Sequence, residues 1–183
     1  MKTYLEINVP IKYDDPWFEE LKNHFAGIPV KWQKDFYHIT MVFVNVTPKG
    51  IDLCPLLKKH LMTAQAPELT FDQLDAFATR SGMYIIHLST SHIPEHFLSL
   101  TEAIRADMKA AGCVIQSDFM LHVTLGRLSD FNIALPKLRS LTQSFSIPPL
   151  SMTLTDVDYR VYRGKTIFET QLRKKETHPL GAQ

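Results

Sequence analysis

Two seven-residue stretches hold side chains that could do chemistry together: His38-Ile39-Thr40-Met41-Val42-Phe43-Val44 and His122-Val123-Thr124-Leu125-Gly126-Arg127-Leu128. Each opens on His-x-Thr and runs into apolar residues. In an extended segment the His and Thr side chains share one face, while Ile39 and Val123 turn to the other and into a core. The product is two imidazoles and two hydroxyls, one pair from each half of the chain, able to meet across one cleft. Such a set suits phosphate-ester chemistry without a metal: one His takes a proton, the other gives one, and the hydroxyls of Thr40 and Thr124 hold phosphate oxygens.

Elements on either side must position these stretches. Tyr4 to Val9 alternates as a half-buried strand does, with Leu5, Ile7 and Val9 on one face. Asp15-Pro16 opens a helix carrying Trp17, Leu21 and Phe25 at helical spacing up to Gly27. Val30 to Lys34 leads into the first motif strand, which ends at Pro48-Lys49-Gly50. A second helix follows Asp52, with Leu53, Leu56, Leu57 and Leu61 as its stripe, and Glu68 to Phe77 reads as one strand. Past the turn at Ser81-Gly82 the order recurs. Met83 to Leu88 is a strand, a helix runs from Pro94 to Gly112, and the second motif strand follows. A short helix starts after Asn132 with Pro136 in its first turn; Ser151 to Val161 reads as one long strand, joined through Arg163-Gly164 to a strand from Lys165 to Leu172. Both halves therefore read strand, helix, His-x-Thr strand, Pro-bearing helix, strand. The expectation is one bilobal domain over residues 1–173, with pseudo-repeats at about 3–79 and 82–172 and a flexible tail over 174–183.

Bulk properties exclude several classes. At 45% hydrophobic and 21% charged the chain reads as globular, and a net charge of +1 argues against a sequence-independent grip on long nucleic acid. A short or terminal phosphate substrate stays open. Cys54 and Cys113 have no paired spacing, so neither a disulfide framework nor a cysteine zinc site is expected. Glu6, Asp14 and Asp15 interrupt any apolar leader or membrane span, and the expected setting is a monomer in a reducing cytoplasm, without membrane attachment.

With the motif pair and the duplicated order in hand, the chain resembles the two-histidine phosphoesterase superfamily, in particular its RNA 2′,3′-cyclic phosphodiesterase or 2′-5′ RNA ligase branch. The likeness runs from about Tyr4 to Leu172. It rests on His38 to Phe43 as the early His-x-Thr-hydrophobic-x-Phe stretch, His122 to Arg127 as the late His-x-Thr-Leu-x-Arg stretch, and Tyr159 to Lys165 as the penultimate hairpin. Leu121 stands where a Pro commonly precedes the second His. The resemblance implies an α+β fold, bilobal and duplicated, with two antiparallel sheets flanked by helices and a central groove lined by the two motif strands. It also implies cleavage of a cyclic or 2′-5′ phosphodiester, with an RNA terminus or small cyclic nucleotide as substrate and no cofactor. His122 would be the base and His38 the acid. Arg127 fits as a bidentate clamp on a phosphoryl oxygen, and Gly126 would let backbone approach the ligand.

Each residue also has a plainer reading. His38 and His122 could be strand histidines satisfied by backbone, Thr40 and Thr124 ordinary β-branched strand residues, and Arg127 a strand-end charge. Phe43 reads as core or as a base contact; Trp32, Tyr37, Tyr159 and Tyr162 are candidate base platforms or groove walls. His92-Ile93-Pro94-Glu95-His96 spells a zinc-hydrolase motif, but Pro94 at a helix start would leave the two His on different faces. The alternatives are thus a non-catalytic nucleotide or RNA-binding module, and a zinc hydrolase through His92 and His96.

Overall fold

In the computed structural model, which describes residues 1–116 and 118–176, the N-terminal alternation forms β1 (Thr3–Asn8), whose Leu5 and Ile7 are fully buried. Helix α1 (Pro16–His24) places Pro at its start and turns Trp17, Phe18 and Leu21 inward. The chain then passes through β2 (Lys31–Trp32) to the first motif strand, β3 (His38–Val46). Helix α2 (Cys54–Leu61) begins where the Asp52 carboxylate accepts the Cys54 N–H at 3.0 Å, satisfying one of the first-turn donors. The strands β4 (Glu68–Phe71), β5 (Gln73–Ala78) and β6 (Met83–Ser89) follow, and α3 (Glu95–Ala110) starts behind Pro94 and ends before Gly112 at φ +85°. The remainder is β7 (Val114–Ile115), the second motif strand β8 (Val123–Ser129), α4 (Leu135–Gln143), β9 (Leu150–Thr153), β10 (Asp156–Val161) and β11 (Thr166–Gln171). Most of the expected tail, residues 177–183, lies outside the described residues.

The fold is α+β, with a large and a small antiparallel sheet. The large sheet runs β11-β10-β1-β3-β8-β6-β5, with β2 against β8 and β7 against β3; the small one pairs β4 with β9. The two motif strands are central neighbours, registered through the single pair Ile39↔Val123. Beyond it they diverge, and β7 and β2 take up the freed edges of β3 and β8. One side of the sheet joins the two ends of the chain, because the C-terminal β10 lies on β1, and the other is built from its middle, where β5 lies on β6 and β6 on β8.

Two expected strands are corrected. Glu68 to Phe77 is broken at Asp72, whose carboxylate accepts the Ser91 N–H at 2.7 Å, so β4 and β5 enter different sheets. Ser151 to Val161 is likewise divided into β9 and β10, with the Leu154 N–H bonded to the Pro67 carbonyl at 3.0 Å. The signal was present as a slip of parity: Leu69 and Phe71 are buried two apart, then Leu74 three further on; Leu154 and Val157 repeat that step of three. A strand cannot bury both sets on one face without turning.

Among the described residues no helix is long and apolar enough to cross a membrane.

Candidate active site

The two motif strands share a local irregularity that decides which side chains can meet. Between β1 and β3 the pairing passes from Leu5↔Val42 to Glu6↔Thr40, leaving Met41 unmatched. Between β6 and β8 it passes from Ile86↔Gly126 to His87↔Thr124, leaving Leu125 unmatched. Each is a β-bulge, in which two residues face one and the alternation of faces restarts. Met41 and Val42 are consequently both buried, as are Leu125 and Gly126, and the next residues, Phe43 and Arg127, return to the side of Thr40 and Thr124. Strict alternation would have sent Phe43 and Arg127 to the core face. The pattern His-x-Thr-x-x-Phe and its counterpart His-x-Thr-x-x-Arg therefore each present three side chains to one face.

The histidines are held alike. His38 Nδ1–H donates to the Phe36 carbonyl at 2.9 Å and His122 Nδ1–H to the Met120 carbonyl at 3.0 Å, in both cases the residue two before. A carbonyl only accepts, so the proton sits on Nδ1 and the exchangeable position on each ring is Nε2. Phe36 reaches this bond in the left-handed region, at φ +56°, and its side chain is exposed. The strands converge on common space: a cavity of about 100 Å³ is lined by Thr40, Phe43, Phe77, Met120 and His122, and positive charge on His38 acts on His122.

The surroundings of the two rings differ. His38 Nε2 lies 3.4 Å from Oε2 of Glu6, a carboxylate 2% exposed whose Oε1 is 3.3 Å from Arg160 Nη1. Burial pushes the Glu6 carboxyl up, against the pull of His38 and Arg160. His122 instead faces the buried His87, ring centroids 5.7 Å apart at 78°, with Phe77 edge-on at 5.3 Å. Burial lowers both imidazoles; the charges of His38 and Arg127 press His122 further down, and that of His122 acts likewise on His87. Neither Glu6 nor His87 was singled out from the sequence. Both are recognisable only as the cross-strand neighbours of Thr40 and Thr124.

Gln33 is a further residue that spacing did not reveal. Its Nε2 donates to the carbonyls of Asp35 at 3.0 Å and Phe36 at 2.9 Å, while its Oε1 accepts from Arg127 Nη1 at 3.0 Å. One side chain thus ties the loop that orients His38 to the arginine of the other motif.

Other expected contacts fall elsewhere. Tyr159 is 3% exposed, with its hydroxyl 2.9 Å from Thr3 Oγ1, and belongs to the core because it shares parity with Val157. Tyr37 is also buried. Trp32 packs between the edges of Phe18 and Phe25, at 5.7 and 5.5 Å, on the helix side of β8. Gly126 serves that packing rather than a ligand: a Cβ there would stand 2.6 Å from Val30 Cγ1 and 2.9 Å from Trp32 Cε3. Tyr162 is exposed and lies edge-on to Phe43 at 5.5 Å, so it keeps a place beside the groove. His92 precedes α3 and His96 sits in its first turn; among the described residues no group of three or more His, Cys, Asp or Glu is arranged to hold a metal ion.

The two neighbouring bulged strands of the central sheet thus carry paired histidines and threonines and an arginine on one face. A family model described as the 2'-5' RNA ligase superfamily matches residues 15–166, and the chain belongs to that family. Solved structures share the fold at low identity. E. coli LigT complexed with 3'-AMP is 22% identical with a TM-score of 0.60, over 94% of this chain and 95% of that one. Kluyveromyces marxianus Usb1 is 9% identical with a TM-score of 0.68, over 93% and 98%. TT0787 of Thermus thermophilus is 17% identical with a TM-score of 0.57, over 96% and 100%. No curated protein matches the sequence.

Proposed function

We propose that this protein opens 2′,3′-cyclic phosphates of RNA ends or nucleotides, or cleaves 2′-5′ diesters, by general acid/base catalysis with His38 and His122. The observation that carries the reading is the matched pair of imidazoles, each with Nδ1–H tied to the carbonyl two residues before it and Nε2 left for proton transfer. Water attacks phosphorus in line with the leaving ribose oxygen; His122 Nε2 takes the water proton, the P–O bond to that oxygen breaks, and His38 delivers a proton to it. A phosphomonoester and a free hydroxyl result. Thr40, Thr124 and Arg127 hold the non-bridging oxygens, with the guanidinium as a bidentate donor to charge that grows in the transition state. Phe43 supplies a groove wall on which a base can stack. Crystal structures of E. coli LigT with 3'-AMP and with phosphate support a nucleotide phosphate as the ligand of this fold.

The role assignment is supported by the surroundings. A base must be neutral to act, and burial with the neighbouring charges keeps His122 in that form near neutral pH. The test is turnover of a panel of 2′,3′-cyclic nucleotides and 2′-5′ dinucleotides in EDTA. His38→Ala and His122→Ala should each lose about 10²–10⁴-fold in kcat. Near wild-type turnover in either variant overturns the mechanism, and binding of substrate with no product makes the groove a non-catalytic nucleotide-binding site.

A further inference from the structure

The two motif strands match in their His, their Thr and the place of their bulge, yet the positions that face their threonines across the sheet do not match. Opposite Thr40 stands Glu6, and opposite Thr124 stands His87. Both are buried, 2% and 7% exposed, and both lean on a catalytic ring: Glu6 Oε2 lies 3.4 Å from His38 Nε2, and the His87 ring lies 5.7 Å from that of His122. Among the described residues Glu6 Oε2 has no hydrogen-bond partner. A buried carboxylate oxygen in that state is costly unless a proton comes to it or to the neighbour it faces.

We propose that Glu6 and His87 are positioning residues that polarise this pseudo-symmetric site: Glu6 stores with His38 the proton destined for the leaving oxygen, and His87 keeps His122 ready to accept one. The inference rests on the acid/base reading above and extends it from the two histidines to the residues that set their direction.

The charges around each pair agree with the assignment. Around Glu6 and His38 stand Tyr4 on the same strand and Asp158 and Arg160 on β10; Asn8 Nδ2 occupies Asp158 at 3.0 Å, and Arg160 is 3.3 Å from Glu6 Oε1. One proton shared by imidazole and carboxylate leaves that cluster with its charges balanced, whichever atom carries it. Around His87 and His122 stand Asp75 on β5, Arg139 on α4, and the charges of His38 and Arg127. Asp75 favours a proton on His87, but Arg139, bonded to Asp75 at 3.1 and 2.9 Å, opposes that pull, and burial with the facing His122 outweighs it. A second proton on this side would bring cations together in a buried place. The site therefore has a donor side and an acceptor side before substrate arrives.

The experiment pairs a spectrum that needs no turnover with kinetics. At pH 7 the ring-nitrogen NMR signals of the ligand-free protein should show His38 exchanging a second proton in the wild type and in Glu6→Asp, and only the Nδ1–H form in Glu6→Gln. His122 should show the Nδ1–H form in all three. In kinetics on a 2′,3′-cyclic nucleotide, Glu6→Gln should lower kcat about tenfold or more with KM changed less than about threefold, and the alkaline limb of kcat should move about one pH unit toward acid. An aryl phosphodiester with a good leaving group should hide most of that loss. His87→Glu, which puts a carboxylate beside the base, should move the acid limb of kcat/KM toward neutral pH. Identical His38 signals in wild type and Glu6→Gln, or a loss carried by KM and equal for both leaving groups, overturns the proposal. Should no diester be turned over by the wild type, the acid/base reading falls, while the spectra still decide whether Glu6 and His38 share a proton.

Discussion

Gly126→Ala separates two roles for a glycine inside the second motif. If that glycine exists to let a ligand approach, alanine should weaken binding and leave folding alone. Its position argues the reverse, since the added Cβ would stand 2.6 Å from Val30 Cγ1 and 2.9 Å from Trp32 Cε3, both closer than real Cβ contacts come. Val30 can turn its isopropyl group. The Trp32 ring cannot retreat, because the edges of Phe18 and Phe25 hold it at centroid distances of 5.7 and 5.5 Å. Overpacking a rigid site costs about 1–3 kcal/mol, and with an aromatic ring as one neighbour the upper part of that range, about 2–3 kcal/mol, is expected. At about 2–4 °C per kcal/mol for a chain of this size, the melting temperature should fall by about 4–12 °C. Urea denaturation of Gly126→Ala, Val30→Ala and the double variant then reads the coupling: Val30→Ala removes the closer contact, so the double variant should be more stable than the sum of single losses by about 1 kcal/mol. A Gly126→Ala protein that melts within about 1 °C of the wild type while its KM rises would refute this reasoning and return the glycine to the ligand.

Arg127→Lys should behave as a damaging change, because a point charge replaces a planar fork; phosphate or sulfate should inhibit the wild type competitively, and equal phosphate inhibition constants in wild type and Arg127→Ala would make Arg127 a surface charge. Gln33→Ala should lower kcat about tenfold with little effect on stability and couple to Arg127→Ala in a double-mutant cycle, since one amide serves both motifs; full additivity would refute the bridge. Removing the acid should matter less when the leaving group needs no proton, so an activated aryl diester should survive His38→Ala better than His122→Ala, and the opposite order would exchange the roles. Stability should fall as the pH drops below about 6.5, because burial lowers His87 and His122 in the folded state while the unfolded chain binds those protons. His87→Leu should flatten that slope in denaturation midpoints measured from pH 7 to 5.

The sequence by itself determined what depends on near neighbours. Alternation at Leu5 and Ile7, the Asp15-Pro16 helix start, the apolar spacing of Phe97, Ile104 and Met108, and the two His-x-Thr openings are local patterns, and local patterns choose strands, helices and the residues able to exchange protons. The step of three between Phe71 and Leu74, and again between Leu154 and Val157, was also written in the chain, though it marks a break only when burial is known. Tertiary structure decided the rest. A bulge belongs to a pair of strands and not to either one, so only the pairing of β1 with β3 and of β6 with β8 brings Phe43 and Arg127 to the face of the threonines, while Tyr159 turns inward with Val157 on β10 and the pairing of β2 with β8 sets the half-buried Trp32 beside Gly126. Glu6 and His87 are silent in sequence for the same reason. Their neighbours His38 and His122 lie more than thirty residues away, and what burial and a facing charge do to a carboxylate or an imidazole exists only after the sheet has formed.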